Sequence, residues 1–173
     1  GYVAYYADKV INAPNGVVNG DYIFSTVDGK HSLAGYLGSE ENITLPSNYN
    51  GENYAIGEKA FEGNTLLRSV TIPYGVTAVG NNAFDGCTMI TSIELPSTVT
   101  SIGSYAFDGC DLLTKVTIPN SVTEIGTGAF YNCVSLKSVA IPSSVTTINN
   151  VTFYGCASLL TFSIPSSVTK IGA

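Results

Sequence analysis

The chain has 173 residues, of which 45% are hydrophobic and only 12% charged, with a formal charge of −6 and 18 glycines. That length supports one domain with a sizeable core, and the charged share is about half the usual one. The acidic balance excludes a nucleic-acid surface, which needs a basic stripe. No apolar run reaches the roughly 18 residues that a membrane-spanning helix requires.

The chain begins with Gly1 rather than Met, and no signal peptide is visible. A trimmed form whose targeting signal has been removed is the expectation. Residues 1–16 are expected to add a strand or to be loosely held. From 17 to 37, two extended runs flank Asp28-Gly29, a favoured hairpin turn. This segment is read as a hairpin cap over the coils that follow, because stacked repeats need their end faces covered. "ITLP" at 43–46 then opens a degenerate first repeat, which a four-residue insertion within "SNYNGENY" lengthens.

From Gly57 onward the sequence repeats every 23 residues. Pro73, Pro96, Pro119, Pro142 and Pro165 mark one column. Phe61, Phe84, Phe107, Phe130 and Phe153 mark a second, and Cys87, Cys110, Cys133 and Cys156 a third. A glycine column runs through Gly57, Gly80, Gly103 and Gly126, passes Asn149 and ends at Gly172. Each unit reads as two short extended pieces and a helical turn. "LLTKVTIP" spaces Leu113, Val116 and Ile118 as an inward strand that Pro119 ends. "SVTEIG" turns Val122 and Ile125 inward, and the column glycine is read as turning the chain. Ala106, Phe107, Cys110 and Leu113 then follow a helical beat. One coil cannot bury such a face, but stacked coils can, at about 4.8 Å per step. The expected fold is therefore a repeat solenoid, a right-handed coil with a parallel β-sheet, short helical turns and an N-terminal β-hairpin cap. Residues 1–56 would form the cap and degenerate repeat. Residues 57–173 would form five repeats and a truncated end, in one continuous domain.

The cysteine column gives a line rather than a tetrahedral cage, which argues against zinc. Stacked thiols could form disulfides only with distortion. The first unit holds Asn64 at the same place, so the column reads as a small buried site filled by structural free thiols.

These units resemble the BspA-like leucine-rich repeats, whose motif is carried here in "LLTKVTIPNSVTEIGTGAFYNC" (112–133) and in the neighbouring units. The resemblance covers at least 57–171. It implies a curved leucine-rich-repeat fold and an extracellular, adhesin-type interaction module, of a kind common on host-associated bacteria. It does not name a partner, since fold does not fix function.

Within that frame the candidate partner-binding residues are the outward positions of the first strand. Ser69, Ser92, Lys115, Ser138 and Thr161 form one column, and Thr71, Glu94 and Thr117 belong to the other. Tyr131 and Tyr154 are candidates on the turn, and Glu62, Asp85 and Asp108 continue their column as solvated carboxylates. The partner is expected to be an extracellular protein or a glycan, with neither nucleic acid nor membrane insertion in this segment. The chain stops at "SVTKIGA" without a visible cap, so an end-to-end or homodimeric contact there is a further expectation. Alternatives are a passive spacer presenting another domain, or a carbohydrate-binding module. The lone His31 and the absence of Gly-x-Ser-x-Gly, Gly-x-Gly-x-x-Gly and Walker sequences give no support to catalysis or a nucleotide cofactor.

Overall fold

The computed structural model describes residue 13 and residues 15–173. The expectation for residues 1–16 therefore falls almost entirely outside the described residues. The rest is a β-solenoid of about six turns. Its first strands, β1 (Val17–Asn19), β2 (Tyr22–Val27) and β3 (Lys30–Tyr36), are antiparallel neighbours. Asp28 and Gly29 both take positive φ, 51° and 73°, between β2 and β3. That is the backbone of a two-residue hairpin turn whose twist matches its strands.

β3 then pairs in parallel with β5 (Tyr54–Ile56), and the sheet continues through β7 (Val76–Val79), β9 (Ser101–Ile102) and β11 (Glu124–Ile125). The N-terminal strands are thus the opening rungs of the second-strand sheet. The first-strand side carries β4 (Asn42–Thr44) with β6 (Ser69–Thr71), and β8 (Ser92–Glu94) with β10 (Lys115–Thr117) and β12 (Ser138–Val139). The last coils add the parallel pair β13 (Thr147–Ile148) and β14 (Lys170–Ile171). The inserted residues form a tight turn, in which Tyr49 and Glu52 exchange backbone hydrogen bonds around Asn50 and Gly51. Tyr49 is buried there and stacks on Phe24 at 4.2 Å.

The helical turns do not form; among the described residues there is no helix. In the coil of Phe84, the N–H groups of Ala83, Asp85 and Cys87 bond back three residues, to the carbonyls of Gly80, Asn82 and Phe84. The intervening N–H groups of Asn82, Phe84 and Gly86 donate instead to Ser104, Ala106 and Asp108 of the next coil, at 2.8–2.9 Å. An α-helix keeps every N–H within its own segment. Here the alternation laces each turn into its neighbour. It places two residues per coil at positive φ, Asn82 (54°) and Gly86 (69°) among them.

The column glycines also play a different part from the expected one. None from Gly57 to Gly172 in that column lies at positive φ. What excludes a side chain is contact between coils: a Cβ on Gly103 would lie 2.6 Å from both Asn81 N and Gly80 C. Where the column holds Asn149, its side-chain amide donates to the Ile125 carbonyl at 2.7 Å. In the preceding coils the equivalent carbonyls accept the glycine N–H, as Ile102 does from Gly126 at 2.8 Å. The long sheet stops at β11 and a separate pair begins at β13, so the break coincides with this replacement.

The inward columns form one core. Phe61, Phe84, Phe107 and Phe130 are fully buried, and the rings from Phe61 to Phe153 stack nearly parallel, with centroids 5.0–5.7 Å apart. Full burial of such a side chain contributes roughly 1.5–3 kcal/mol per residue, which makes the phenylalanine column a principal source of cohesion between coils.

Candidate interaction surfaces

The first-strand side presents its outer residues in register. Ser92, Lys115 and Ser138 are direct partners across β8, β10 and β12, with Glu94 opposite Thr117. Every one of them is exposed, while Ile93, Val116 and Val139 between them are buried. Ser69 and Thr71 are exposed likewise, but they pair with Asn42 and Thr44 rather than continuing directly into β8. The Ser69 hydroxyl donates to Asn42 Oδ1 at 2.7 Å, and Arg68 Nε contacts Glu41 Oε2 at 2.7 Å beside it. Thr161 is exposed but lies outside any strand. In that last coil Phe162 occupies the place of Val139 and Val116, and its ring meets Phe153 at 5.3 Å, tilted by 48°. The structure therefore groups Ser92, Lys115, Ser138, Glu94 and Thr117 into one patch, with Ser69 and Thr71 in an adjoining pair of strands.

On the turn side, Tyr131 and Tyr154 stack at 4.9 Å, and Tyr105 meets Tyr131 edge-on at 6.0 Å. Backbone lacing fixes this spacing: Asn132 N donates to Tyr154 O at 2.7 Å, and Gly109 N to Tyr131 O at 3.0 Å. Gly128 is needed beneath the cluster, because a Cβ there would lie 2.4 Å from the Tyr105 ring. Val134 and Leu160 are also exposed on these coils, at 41% and 87%. They escape a motif-based reading because their columns lie outside the repeat motif. The signal lies in the columns: Val134 follows Thr65, Thr88 and Asp111, and Leu160 follows Arg68, Thr91, Thr114 and Lys137. Asp108 precedes Tyr131 in its own column, and desolvation, with the nearby Asp85 carboxylate, raises its pKa.

Two other features are structural. Among the described residues the thiols of Cys87, Cys110, Cys133 and Cys156 form no disulfide, and each donates to the carbonyl of a phenylalanine one coil back at 3.1–3.2 Å. Burial pushes Cys110 and Cys133 well up and Cys156 to about 11, so these are not activated nucleophiles. Asn64, in the same column, is only half-buried and accepts N–H bonds from Leu66 and Leu67. An open groove of about 430 Å³ follows the glycine column from Ala55 to Gly126. The N–H groups of Gly57, Gly80, Gly103 and Gly126 along it are already bonded to the preceding coil. Among the described residues no helix is long and apolar enough to cross a membrane.

Residues 54–173 match the model of the BspA type leucine-rich repeat region, in six copies. No curated protein matches the chain. Among solved structures, a leucine-rich repeat protein of T. pallidum is 27% identical, covers 90% of this chain and 85% of its own, and superposes with a TM-score of 0.74. One from Eubacterium ventriosum is 25% identical with a TM-score of 0.62, covering 91% of this chain and 50% of its own. One from Bacteroides ovatus, 23% identical with a TM-score of 0.53, shares the fold over 90% of this chain and 55% of its own. The chain thus spans about half the length of the last two. The repeat columns, the laced turns and the match over 54–173 lead to one assignment: this chain belongs to the BspA-type leucine-rich repeat family.

Proposed function

We propose that this chain is an extracellular, adhesin-like interaction module that binds a host or microbial macromolecule through its first-strand face, and that it does no catalysis. The observation that carries this reading is the registered row of Ser92, Lys115 and Ser138 with Glu94 and Thr117 beside it, all exposed over a buried apolar layer. A pleated surface of short polar side chains, held at fixed spacing by the core beneath, is pre-organised and needs little ordering on contact. The family supplies the setting of repeat-based recognition. The test is binding of the purified chain to a panel of extracellular-matrix proteins, mucins and glycans, alongside a variant carrying Ser92→Glu, Lys115→Glu and Ser138→Glu. Saturable binding that the variant loses supports the module and places it on this face. Binding unchanged in the variant refutes the face, and no binding across the panel favours a passive spacer.

A further inference from the structure

The tripeptide Asn-x-Thr, the acceptor signal for N-linked sugars, occurs twice in the chain, as Asn42-Ile43-Thr44 and as Asn150-Val151-Thr152. A bare tripeptide is a weak signal, but the fold presents the two differently. Transfer needs the asparagine amide nitrogen and the threonine hydroxyl to be reachable from one side. Asn42 opens β4 and Thr44 ends it, with Ile43 buried between them. Side chains alternate along a strand, so the amide and the hydroxyl share one exposed face. The Ser69 hydroxyl holds the Asn42 amide by its oxygen, at 2.7 Å, and Tyr22 touches only the Thr44 backbone carbonyl. Among the described residues, Asn42 Nδ2 and the Thr44 hydroxyl have no hydrogen-bond partner. Among the same residues β4 pairs with β6 alone, so it is an edge strand. Asn150-Val151-Thr152 is the opposite case. Thr152 is buried, its hydroxyl donates to the Asn149 carbonyl at 2.8 Å, and Val151 holds a left-handed φ of 49°. The flanks differ as well. Exposed Glu40 stands two places before Asn42, where bacterial transferases of this class require an acid, and Ile148 stands two places before Asn150.

We propose that Asn42 is a site of N-linked glycosylation and that Asn150 is not. The co-substrate is an oligosaccharide joined through pyrophosphate to a polyprenyl lipid. Asn42 Nδ2 forms a bond to the anomeric carbon of the first sugar, and the bond from that carbon to the pyrophosphate oxygen breaks. The lipid pyrophosphate leaves with the bonding pair, and one amide proton passes to a base of the transferase. Nothing is oxidised or reduced. Such donors are used on the outer side of a membrane, so use of the site in the cell rests on the extracellular placement proposed above. The product bears on the first-strand face. A glycan on Asn42 stands beside Ser69, its partner across β4 and β6, with Thr71 two residues on. It would cover that end of the face and leave the row of Ser92, Lys115 and Ser138 open.

The test is transfer in vitro to the purified, folded full chain, using a purified bacterial oligosaccharyltransferase and its lipid-linked donor. Intact mass counts the glycans, and peptide mapping locates them. The assay is independent of where the protein resides, so its failure is distinct from failure of the extracellular reading, which the binding panel tests. A reference acceptor peptide confirms that the transferase is active. Synthetic peptides spanning 38–48 and 146–156 report what the sequence allows without the fold. The expected result is a single glycan, on Asn42. It should be lost in Asn42→Gln, Thr44→Ala and Glu40→Gln and retained in Thr44→Ser. All three positions are exposed, and an unchanged circular dichroism spectrum checks that the variants fold. A folded chain that stays unmodified overturns the inference, whether or not the 38–48 peptide is accepted. Modification of Asn150 to the same extent as Asn42 overturns it too, because the presentation of the two tripeptides would then make no difference.

Discussion

Replacing Phe107 by alanine probes the cohesion of the array in the middle of its phenylalanine column. The ring is fully buried and stacks on Phe84 at 5.3 Å and on Phe130 at 5.4 Å. Removing it leaves a cavity that the laced backbone on either side cannot easily close, for a loss of about 3–5 kcal/mol. The two ring contacts, each about 0.5–1.5 kcal/mol beyond area alone, place the value toward the upper end. Phe153→Ala is the control. That residue is half-buried, with one parallel neighbour at 5.7 Å and the tilted Phe162, so a loss of about half as much is expected. Urea unfolding followed by circular dichroism measures both. Since each coil contacts only its neighbours, an interior lesion should also loosen the coupling between the halves. The Phe107→Ala transition should broaden or split, whereas that of Phe153→Ala should keep its slope. Equal losses with unchanged slopes would refute the picture of cohesion passed from ring to ring.

Other substitutions address the backbone and the thiols. Gly103→Ala drives a Cβ into Asn81 N and Gly80 C at 2.6 Å and is expected to cost about 1–3 kcal/mol by urea unfolding; a neutral result would mean that the coils separate easily. Gly63→Ala meets no neighbour but must hold a φ of +71°, so a loss of about 1–2 kcal/mol is expected from conformation alone. Val151 is β-branched at φ 49° in the column that holds Gly128. Val151→Gly should therefore be neutral or stabilising by about 1 kcal/mol, and a clear loss would show that its packing outweighs the strain. In the folded protein a disulfide reagent should modify half-buried Cys156 before Cys87, Cys110 and Cys133, and equal rates would contradict their burial. The raised thiol values have a definite sign. Burial favours the protonated thiol, so its contribution is complete below the unfolded value of 9.0 and is lost as pH rises above it. Stability should thus fall in the alkaline range, as thermal unfolding at stepped pH would reveal.

The inward columns were legible because a strict period leaves side-chain identity as the only variable. Val116, Phe107 and Cys110 each sit where their column puts them. The form of the turn was not legible. Apolar residues at Ala106, Phe107, Cys110 and Leu113 fit a helix, and they equally fit a turn whose N–H groups alternate between coils. The distinguishing residues, Lys59, Asn82, Tyr105, Gly128 and Val151, adopt positive φ at one position while sharing no side-chain chemistry. Stacking, rather than intrinsic preference, holds them there. The glycine column was visible but assigned the wrong cause, because its reason lies 23 residues away in the neighbouring coil.

The lacing of each coil to the next has a mechanical consequence. Backbone bonds such as Phe84 to Ala106 and Gly103 to Val79 join successive coils, and few cross a longer span. A load applied between the two ends along the stacking direction would therefore meet one coil boundary at a time, peeling bonds in sequence rather than shearing them together. Each released coil of 23 residues would pay out about 75–80 Å of extended chain. A stack of this construction would lengthen in steps under tension and dissipate the pull coil by coil.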